Sequence, residues 1–308
     1  MLLLRDWRDL PPDARGATVA LGNFDGVHRG HAQVIRAAHA ARPDAPLAVL
    51  TFEPHPRELF RPDDPPMRLT LSAERSAALE QLGVEILYEL PFNHAFSLMP
   101  AEAFVSDVLH QGVGALHLAC GYDFAFGHRR SGGIAVLAAR AEALGMGLTL
   151  VPPVTDAEGP LSSSRIRRYL QDGYPERATA ELGRPWAIRG TVLHGDKRGR
   201  TIGFPTANIP LGRHLEPARG VYAVTLILPG GEPGQGVANI GRRPTVDERT
   251  ASLLEVNVFD YAGDLYDAEL SVALHAYLRP EQKFSGIEAL RTQIALDAAE
   301  AQRVLTLL

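Results

Sequence analysis

Two histidines, His28 and His31, lie three residues apart in the stretch LGNFDGVHRGH. The pattern predicts a strand, a turn through glycine and aspartate, and a helix that begins near Gly30. Backbone amides at a helix start attract phosphate, and two imidazoles at this spacing can donate hydrogen bonds to its oxygens. If they contact a phosphate under attack, they oppose the charge that grows in the transition state. The alternative is a turn with two exposed imidazoles and no ligand.

A second group of polar residues lies in PLSSSRIRRYL, residues 160–170. Ser162–Ser164 can cap a helix whose first turns contain Arg165, Arg167 and Arg168. Positive charge there opposes the helix dipole, so a bound anion would relieve the conflict, and an arginine can reach a leaving pyrophosphate. The alternative is simple capping beside a solvated basic face.

A third candidate, HGDKRGRTIGFPTANIP over residues 194–210, combines glycines with cations. The glycines are Gly195, Gly199 and Gly203, and the cations are Lys197, Arg198 and Arg200. Glycines let backbone amides approach a ligand closely, but the spacing is not that of a Walker A loop. The hydroxyl of Thr206 and the amide oxygen of Asn208 are hard ligands suited to Mg²⁺. The alternative is a surface loop with solvated cations.

Glu255 is a candidate general base in the stretch LLEVNVF. Apolar residues alternate there with Glu255 and Asn257, which places the carboxylate on the more polar face of a strand. A base within reach of a hydroxyl nucleophile accelerates its attack. The alternative is a carboxylate that only solubilises the strand.

Short apolar segments alternate with helical stretches over residues 17–154. The predicted strands are ATVALG, PLAVLTF, VEILYELPF, GALHLACG and LTLVPPV. Continuous apolar strands separated by helices predict a doubly wound α/β domain with a parallel sheet. Ligands of such domains bind at the carboxyl ends of the strands, where His28 and His31 follow the first predicted strand.

From about residue 184 the chain contains strands separated by turns rich in Gly and Pro. This pattern predicts an antiparallel sandwich or barrel. A final helix follows, with a predicted capping box formed by Ser285 and Glu288 and an apolar face that begins at Ile287. Residues 171–186 are predicted to connect two domains, 1–183 and 184–308.

Composition narrows the classes of partner. A formal charge of −5 argues against a broad nucleic-acid surface. The single cysteine, Cys120, excludes an intramolecular disulfide, and its apolar neighbours predict a buried thiol. No apolar run approaches the length of about 18 residues that spans a bilayer, and the N-terminus does not fit a signal peptide. We expect a cytoplasmic protein that is a monomer or weak homo-oligomer and binds neither nucleic acid nor membrane.

Four motifs of the first half together resemble the adenylyltransferase module of prokaryotic bifunctional riboflavin kinase/FAD synthetases: GNFDGVHRGH, TFEPHP (51–56), GYDFAFG (121–127) and SSSRIR (162–167). The resemblance implies transfer of AMP from ATP to FMN, with His28 and His31 as catalytic residues. The implied ATP-binding residues are Gly22, Phe24, His28, His31, Asp123, Ser163, Ser164 and Arg167. The implied flavin-binding residues are Pro54, His55 and Phe126. From the residues alone, TFEPHP is equally a framework loop, and the aromatic residues of GYDFAFG are equally core residues.

The second half resembles the riboflavin kinase module, through GDKRGRTIGFPTANI, GVYAV (220–224), ANIGRRPT (238–245), LEVNVFDYAGDLYD (254–267) and LRPEQKFSGIEALRTQI (278–294). The resemblance implies a β-barrel that transfers the γ-phosphoryl group of MgATP to riboflavin, with Glu255 as the base. Thr206 and Asn208 would hold Mg²⁺. The implied ATP-binding residues are Gly195, Lys197, Gly203, Pro205, Thr206 and Asn208. Asn257 stands where many relatives have histidine.

Together the two resemblances imply one chain that converts riboflavin to FMN and FMN to FAD, with flavins as substrates and products. One rival keeps the kinase but gives the first half a weak or different nucleotidyltransferase activity. Another is a flavin-binding carrier without turnover. The rivals differ from the first reading in whether FMN accumulates without FAD and in whether ATP is consumed.

Overall fold

The computed structural model describes residues 1–194, 204–244 and 250–307. They form two compact units. The first unit comprises Met1–Asp64 and Thr70–Ser162, and the second comprises Pro65–Leu69 and the chain from Ser163 onward. The boundary at 183/184 concerns which segment carries which activity, and it stays a prediction.

The first unit is built on a parallel sheet. Its strands are β1 (Leu2–Leu4), β2 (Thr18–Leu21), β3 (Leu47–Glu53), β4 (Ile86–Pro91), β5 (His117–Gly121) and β6 (Gly147–Val151). They pair in the order β1-β4-β3-β2-β5-β6, and every neighbouring pair is parallel. The predicted parallel sheet is therefore confirmed. Strand β1 was not predicted, because three leucines alone do not distinguish an edge strand from a loop. A short antiparallel pair, β7 (Thr155–Asp156) and β8 (Gly159–Pro160), follows the sheet.

Helices cover both faces of this sheet. They are α1 (Arg29–Ala41), α2 (Pro56–Phe60), α3 (Ser72–Gln81), α4 (His94–Ser97), α5 (Ala101–Ala103) and α6 (Ile134–Ala143), with a π-helical continuation of α5 over Phe104–Gly112 and 3-10 turns at Pro12–Ala14 and His128–Arg130. Val19 and Leu21 of β2 pack in one apolar cluster, whereas Ala20 between them packs in another. Since successive strand residues point to opposite faces, the sheet has a core on each side.

The second unit is an antiparallel barrel. Its strands are β9 (Trp186–Thr191), β10 (Ala207–Pro210), β11 (Gly220–Ile227), β12 (Pro233–Pro244), β13 (Thr250–Val258) and β14 (Glu269–Pro280), paired in the order β10-β13-β12-β11-β14-β9. Leu193, just after β9, donates its backbone N–H to the carbonyl of Asn208 on β10 at 2.8 Å, which nearly closes the barrel. A Cβ on Gly190 would lie 2.8 Å from the side chain of Ile209, so glycine permits this close approach. The predicted barrel is confirmed.

The helices of the second unit correct three predictions. They are α7 (Ser163–Gln171), α8 (Pro175–Leu182) and α9 (Ile287–Leu305). Helix α8 lies within the segment predicted to be a connection. Gly286, and not Ser285, is the N-cap of α9. No side chain among the described residues caps this helix start, so the predicted capping box is wrong. The predicted apolar face is also wrong at its start, because Ile287 is 63% exposed whereas Ala301 and Leu305 are buried against the barrel.

No helix in the described ranges combines the length and the apolar character that crossing a bilayer requires.

Candidate active sites

The histidine pair lies in the turn between β2 and α1. His28 is the N-cap of α1, and its Nδ1 accepts the backbone N–H of His31 at 3.3 Å. The backbone N–H of His28 in turn donates to Nδ1 of His31 at 3.3 Å. The two rings are stacked with centroids 3.6 Å apart. A Cβ on Gly30 would lie 3.0 Å from the His28 ring, so glycine leaves room for this ring.

These hydrogen bonds determine the tautomer of both neutral imidazoles. Each Nδ1 is an acceptor, so the ring proton is on Nε2. Nε2 is therefore the atom with which each ring can donate a hydrogen bond. Two such donors side by side at a helix N-terminus suit an anionic ligand.

Gly22 and Phe24 shape this turn from inside the protein. Phe24 is 1% exposed, and its ring contacts the ring of His31 at a centroid distance of 5.2 Å. A Cβ on Gly22 would lie 3.2 Å from the Phe24 ring. Thr51 on β3 donates its hydroxyl to the carbonyl of Asn23 at 3.0 Å. The side chain of Phe24 supports His31, and contact of Gly22 or Phe24 with ATP stays a prediction.

Pro54 and His55 follow β3, which is adjacent to β2 in the sheet. His55 is the N-cap of α2, and its Nδ1 accepts the backbone N–H of Arg57 at 3.1 Å. The backbone N–H of His55 donates to the carboxylate of Glu58 at 2.9 Å. These contacts show a capping role for His55, and its flavin-binding role stays a prediction.

Asp123 and Phe126 follow β5, the neighbour of β2 on its other side. Asp123 is exposed. Cys120 in strand β5 is buried, as predicted. This burial, together with the nearby Asp123, raises the pKa of the Cys120 thiol to about 12. Phe126 is buried, and its ring stacks on Phe124 with a centroid distance of 5.5 Å. The packing role of Phe126 is thus present, and its contact with flavin stays a prediction.

A group of phenylalanine rings that the sequence analysis missed lies after β3 and β4. Phe60 contacts Phe92 at 5.9 Å, and Phe92 contacts Phe96 at the same centroid distance. Phe96 contacts Phe104, which contacts Phe126. Phe60 is 64% exposed, so the group runs from the core to the surface. The only sequence signal was three phenylalanines in two polar segments that follow strands, HPRELF and PFNHAF.

Ser163, Ser164 and Arg167 belong to the second compact unit, at the start of α7. Nε of Arg167 donates to the carbonyl of Met67 at 2.7 Å, inside that unit. Arg165 is buried and forms an ion pair with Glu181. Of the three arginines in the motif, Arg165 is therefore a structural residue, and the role of Arg167 at a phosphate stays a prediction.

The candidate kinase residues meet on one face of the barrel. Strand pairing places Asn208 on β10 directly opposite Glu255 on β13. Asn239 on β12 is opposite Glu255 on its other side. Side chains of directly paired residues lie on the same face of a sheet, so the carboxylate is flanked by two amides. Sequence analysis missed Asn239, although it belongs to the ANIGRRPT motif, because the pairing partner of a strand is not a local property.

The loop before β10 is held close to this row of residues. Nδ2 of Asn257 donates to the carbonyl of Pro205 at 2.8 Å, and Nδ2 of Asn208 lies 3.5 Å from the carbonyl of Thr206. Asn208 is 6% exposed, and its Oδ1 has no hydrogen-bond partner among the described residues. An orphaned buried amide oxygen beside a threonine and a carboxylate fits a hard cation such as Mg²⁺. Gly195, Lys197 and Gly203 lie outside the described residues.

No cluster of three or more His, Cys, Asp or Glu side chains that could hold a metal occurs in the described part of the chain. Thr206 and Asn208 are not such a cluster. A magnesium ion carried by nucleotide phosphates needs only one or two protein ligands.

Comparison with known proteins assigns both halves. The chain matches the model of the FAD synthetase family over residues 10–165 and that of the riboflavin kinase family over residues 182–305. It is 40% identical to the bifunctional riboflavin kinase/FMN adenylyltransferase of Escherichia coli K12, over 93% of this chain and 92% of the relative. The chain belongs to this bifunctional family. The Pseudomonas fluorescens member of the family is also 40% identical, over 98% of this chain and 97% of its own.

The fold is shared with a solved structure as well. A chain from Streptococcus pneumoniae, whose structure carries the name macrolide-efflux protein, superposes with a TM-score of 0.87 at 34% identity and covers 98% of each chain. That name belongs to the Streptococcus pneumoniae protein and is not carried over to this chain. The family resemblance inferred from the sequence motifs is confirmed by the two family models and the full-length relatives.

Proposed function

We propose that this chain makes flavin cofactors in two ATP-dependent steps. Riboflavin is phosphorylated to FMN at the barrel, and FMN is adenylylated to FAD at the histidine pair. Both family modules occur in one chain, which matches a relative named for both activities over more than nine-tenths of each chain. The observation that carries the proposal is the pairing of Glu255 with Asn208, because it joins a base to a candidate ligand of the phosphate-bound cation.

In the kinase step, the ribityl 5′-hydroxyl oxygen attacks the γ-phosphorus of ATP, and ADP leaves. Glu255 takes the proton of that hydroxyl during the attack. Thr206 and Asn208 would hold Mg²⁺, which neutralises charge on the ATP phosphates when it is bound. Asn239 lies beside Glu255 and orients either the carboxylate or the hydroxyl through its amide. Gly195, Lys197, Gly203 and Pro205 remain proposed contacts of ATP.

In the adenylyltransferase step, a phosphate oxygen of FMN attacks the α-phosphorus of ATP in line, and pyrophosphate leaves. His28 and His31 donate hydrogen bonds from Nε2 to the phosphate oxygens, where they oppose the growing charge. Gly22, Asp123, Ser163 and Ser164 are proposed ATP contacts, and Arg167 is proposed to meet the leaving pyrophosphate.

The flavin of this second step is proposed to stack on the exposed end of the phenylalanine group. Phe60 offers a free ring face next to the loop that contains Pro54 and His55. An aromatic ring at the surface is suited to a planar isoalloxazine system. Phe126 supports this group from the core.

The products of single variants test this division of work. Glu255→Gln should lower FMN formation by at least about 10²-fold, since the general base is lost, while FMN supplied directly is still adenylylated. His28→Ala and His31→Ala should lower FAD formation by about 10²–10³-fold and leave FMN formation intact. Each purified variant is incubated with ATP and Mg²⁺ and with either riboflavin or FMN, and chromatography then measures FMN and FAD.

Matched controls are available for each variant. Glu269→Gln alters an exposed carboxylate on β14, and His39→Ala alters the exposed end of α1. Both controls should retain both activities. Loss of both riboflavin phosphorylation and the adenylylation of supplied FMN in any single active-site variant would contradict the assignment of separate sites. Flavin binding without ATP consumption in the unaltered chain would indicate a carrier. The cytoplasmic location, the monomeric or weakly oligomeric state and the lack of a nucleic-acid partner stay predictions.

A further inference from the structure

The turn that ends in the histidine pair has an unusual backbone. Phe24, Gly26 and Val27 have φ angles of 50°, 87° and 44°. Only glycine adopts such values freely, and a β-branched valine at positive φ is an outlier. Such conformations persist where surrounding contacts enforce them, and they concentrate at functional sites.

The apolar side chains of the turn are one of these contacts. Phe24 and Val27 are 1% and 3% exposed and pack in the same cluster as Ile35 of α1 and Leu79 of α3. The backbone N–H of Val27 donates to the carbonyl of Phe24 at 3.2 Å. With both side chains directed into the core, the backbone between them must turn sharply.

Thr70, which is distant in sequence, makes polar contacts with the same turn. The backbone N–H of Thr70 donates to Oδ1 of Asp25 at 3.0 Å, and the backbone N–H of Gly26 donates to Oγ1 of Thr70 at 2.9 Å. The hydroxyl of Thr70 in turn donates to Oδ1 of Asp25 at 3.5 Å. Asp25 is 1% exposed and Thr70 is 6% exposed, so water does not compete for these bonds.

We propose that Asp25 and Thr70 position the histidine pair for the adenylyl transfer. The inference rests on the proposed function of that pair. Gly26 lies two residues before His28, whose backbone N–H must point at Nδ1 of His31 for the His31 ring to carry its proton on Nε2. Without the Thr70 hydroxyl, the strained turn relaxes and both imidazoles lose their common alignment. Thr70 touches no reacting group, so its effect is on orientation and falls on kcat more than on KM for ATP.

Thr70→Val tests this because it removes the hydroxyl and preserves the volume and the backbone N–H to Asp25. We expect kcat for FAD formation from FMN to fall by about 10- to 100-fold, with KM for ATP changed by less than about threefold. Thr70→Ser, which retains the hydroxyl, should stay within about threefold of the unaltered chain. Riboflavin phosphorylation in the same preparations should be unchanged and reports that the second unit is folded, whereas the retained KM for ATP in FAD formation reports that the first unit is folded.

Thr18→Val is the matched control. Thr18 is buried in β2 of the same unit, and its hydroxyl donates to the carbonyl of Ala38 at 2.8 Å, away from the turn. This variant should lower thermal stability without lowering kcat. The proposal is overturned if Thr70→Val keeps its kcat within twofold, or if Thr18→Val loses as much as Thr70→Val. If Thr70→Val does not fold, Asp25→Asn takes its place. Its kcat should fall by about three- to tenfold, because the charge-assisted hydrogen bonds to the carboxylate weaken. An unchanged kcat in Asp25→Asn also overturns the proposal.

A second readout does not depend on activity. Long-range ¹H–¹⁵N spectra of protein with labelled histidine, assigned with His28→Ala and His31→Ala, report which ring nitrogen bears the proton. Both Nδ1 atoms should be unprotonated in the unaltered chain, and Thr70→Val should shift them toward averaging between tautomers. If the unaltered chain shows no adenylylation, the proposed function fails, and these spectra still decide the positioning role of Thr70. Identical spectra of the two proteins would count against that role.

Discussion

At the scale of single residues, Asn257 shows how a departure from the family pattern is accommodated. Its Nδ2 donates to the carbonyl of Pro205, the residue before Thr206. Histidine, which the family resemblance implies for this position, also offers a ring N–H donor. The substitution therefore preserves a donor that can hold the loop beside Asn208 and Glu255.

We expect Asn257→Ala to raise KM for ATP in riboflavin phosphorylation by about three- to tenfold, because a lost hydrogen bond to a backbone carbonyl is worth about 1 kcal/mol. Asn257→His should stay close to the unaltered chain. Steady-state kinetics of FMN formation measures both variants, and adenylylation of supplied FMN serves as the internal control. Equal KM values for the alanine and histidine variants would contradict the role of the side-chain donor.

At the scale of elements, Arg75 of α3 joins the last parts of two neighbouring strands. Its guanidinium pairs with Glu53 of β3 at 3.0 Å and with Glu89 of β4 at 2.7 Å. Arg75 is fully buried, and its Nε and Nη1 have no partner among the described residues. A buried cation with few partners depends strongly on each carboxylate it has.

The pKa of Glu89 follows from the same contacts. Burial by itself raises the pKa, but hydrogen bonds from Ser72 and Arg75 outweigh it and lower the pKa below the usual value. A lowered pKa in the folded state means that the carboxylate stabilises the fold above its unfolded-state pKa. This contribution is lost as the pH falls through the folded-state pKa.

Glu89→Gln should therefore lower the free energy of unfolding by about 2–4 kcal/mol at pH 7, since it leaves a buried cation short of a partner. The difference from the unaltered chain should shrink as the pH falls below about 4.3, where unfolded glutamate takes up its proton. Urea unfolding at pH 7, 5 and 3.5 measures it. Glu300→Gln, which removes an exposed carboxylate paired with Arg303, is the control and should show no measurable change. A difference that grows toward low pH would be opposite in sign to this expectation.

At the scale of the whole molecule, the core of the second unit extends beyond the barrel. Ile166 and Leu170 of α7 and Leu182 of α8 belong to the same buried cluster as the inward side chains of the barrel strands. The indole N–H of Trp186 donates to the carbonyl of Leu69 at 2.8 Å, also inside this unit. A chain that begins at residue 184 lacks these helices.

We predict that a fragment of residues 163–308 melts at a temperature at least about 5 °C higher than a fragment of residues 184–308. The shorter fragment exposes barrel residues that α7 and α8 cover, and each large aliphatic side chain buried contributes about 1.5–3 kcal/mol. Differential scanning calorimetry compares the two, and both retain Asn208 and Glu255 for an assay of FMN formation. Equal melting temperatures of the two fragments would mean that α7 and α8 do not stabilise the barrel. The predicted boundary at 183/184 would then also be a structural boundary.

The sequence by itself determined the family, the parallel and antiparallel halves, and the residue types at both sites. Such features are readable because apolar runs, turn residues and motif spacing are local and each has a local physical cause. Helix α8 and the true start of α9 were not readable in this way. Their segments are weakly patterned, and the face that a helix buries depends on the surface it meets.

Only the tertiary structure decided how the site residues meet. Asn239 is beside Glu255 because of strand register, and Thr70 reaches Asp25 and Gly26 across more than forty residues of chain. Pairing between distant segments has no local signature, since it minimises the energy of the whole fold. For the same reason the proton positions on His28 and His31 follow from hydrogen bonds that exist only once the turn has formed.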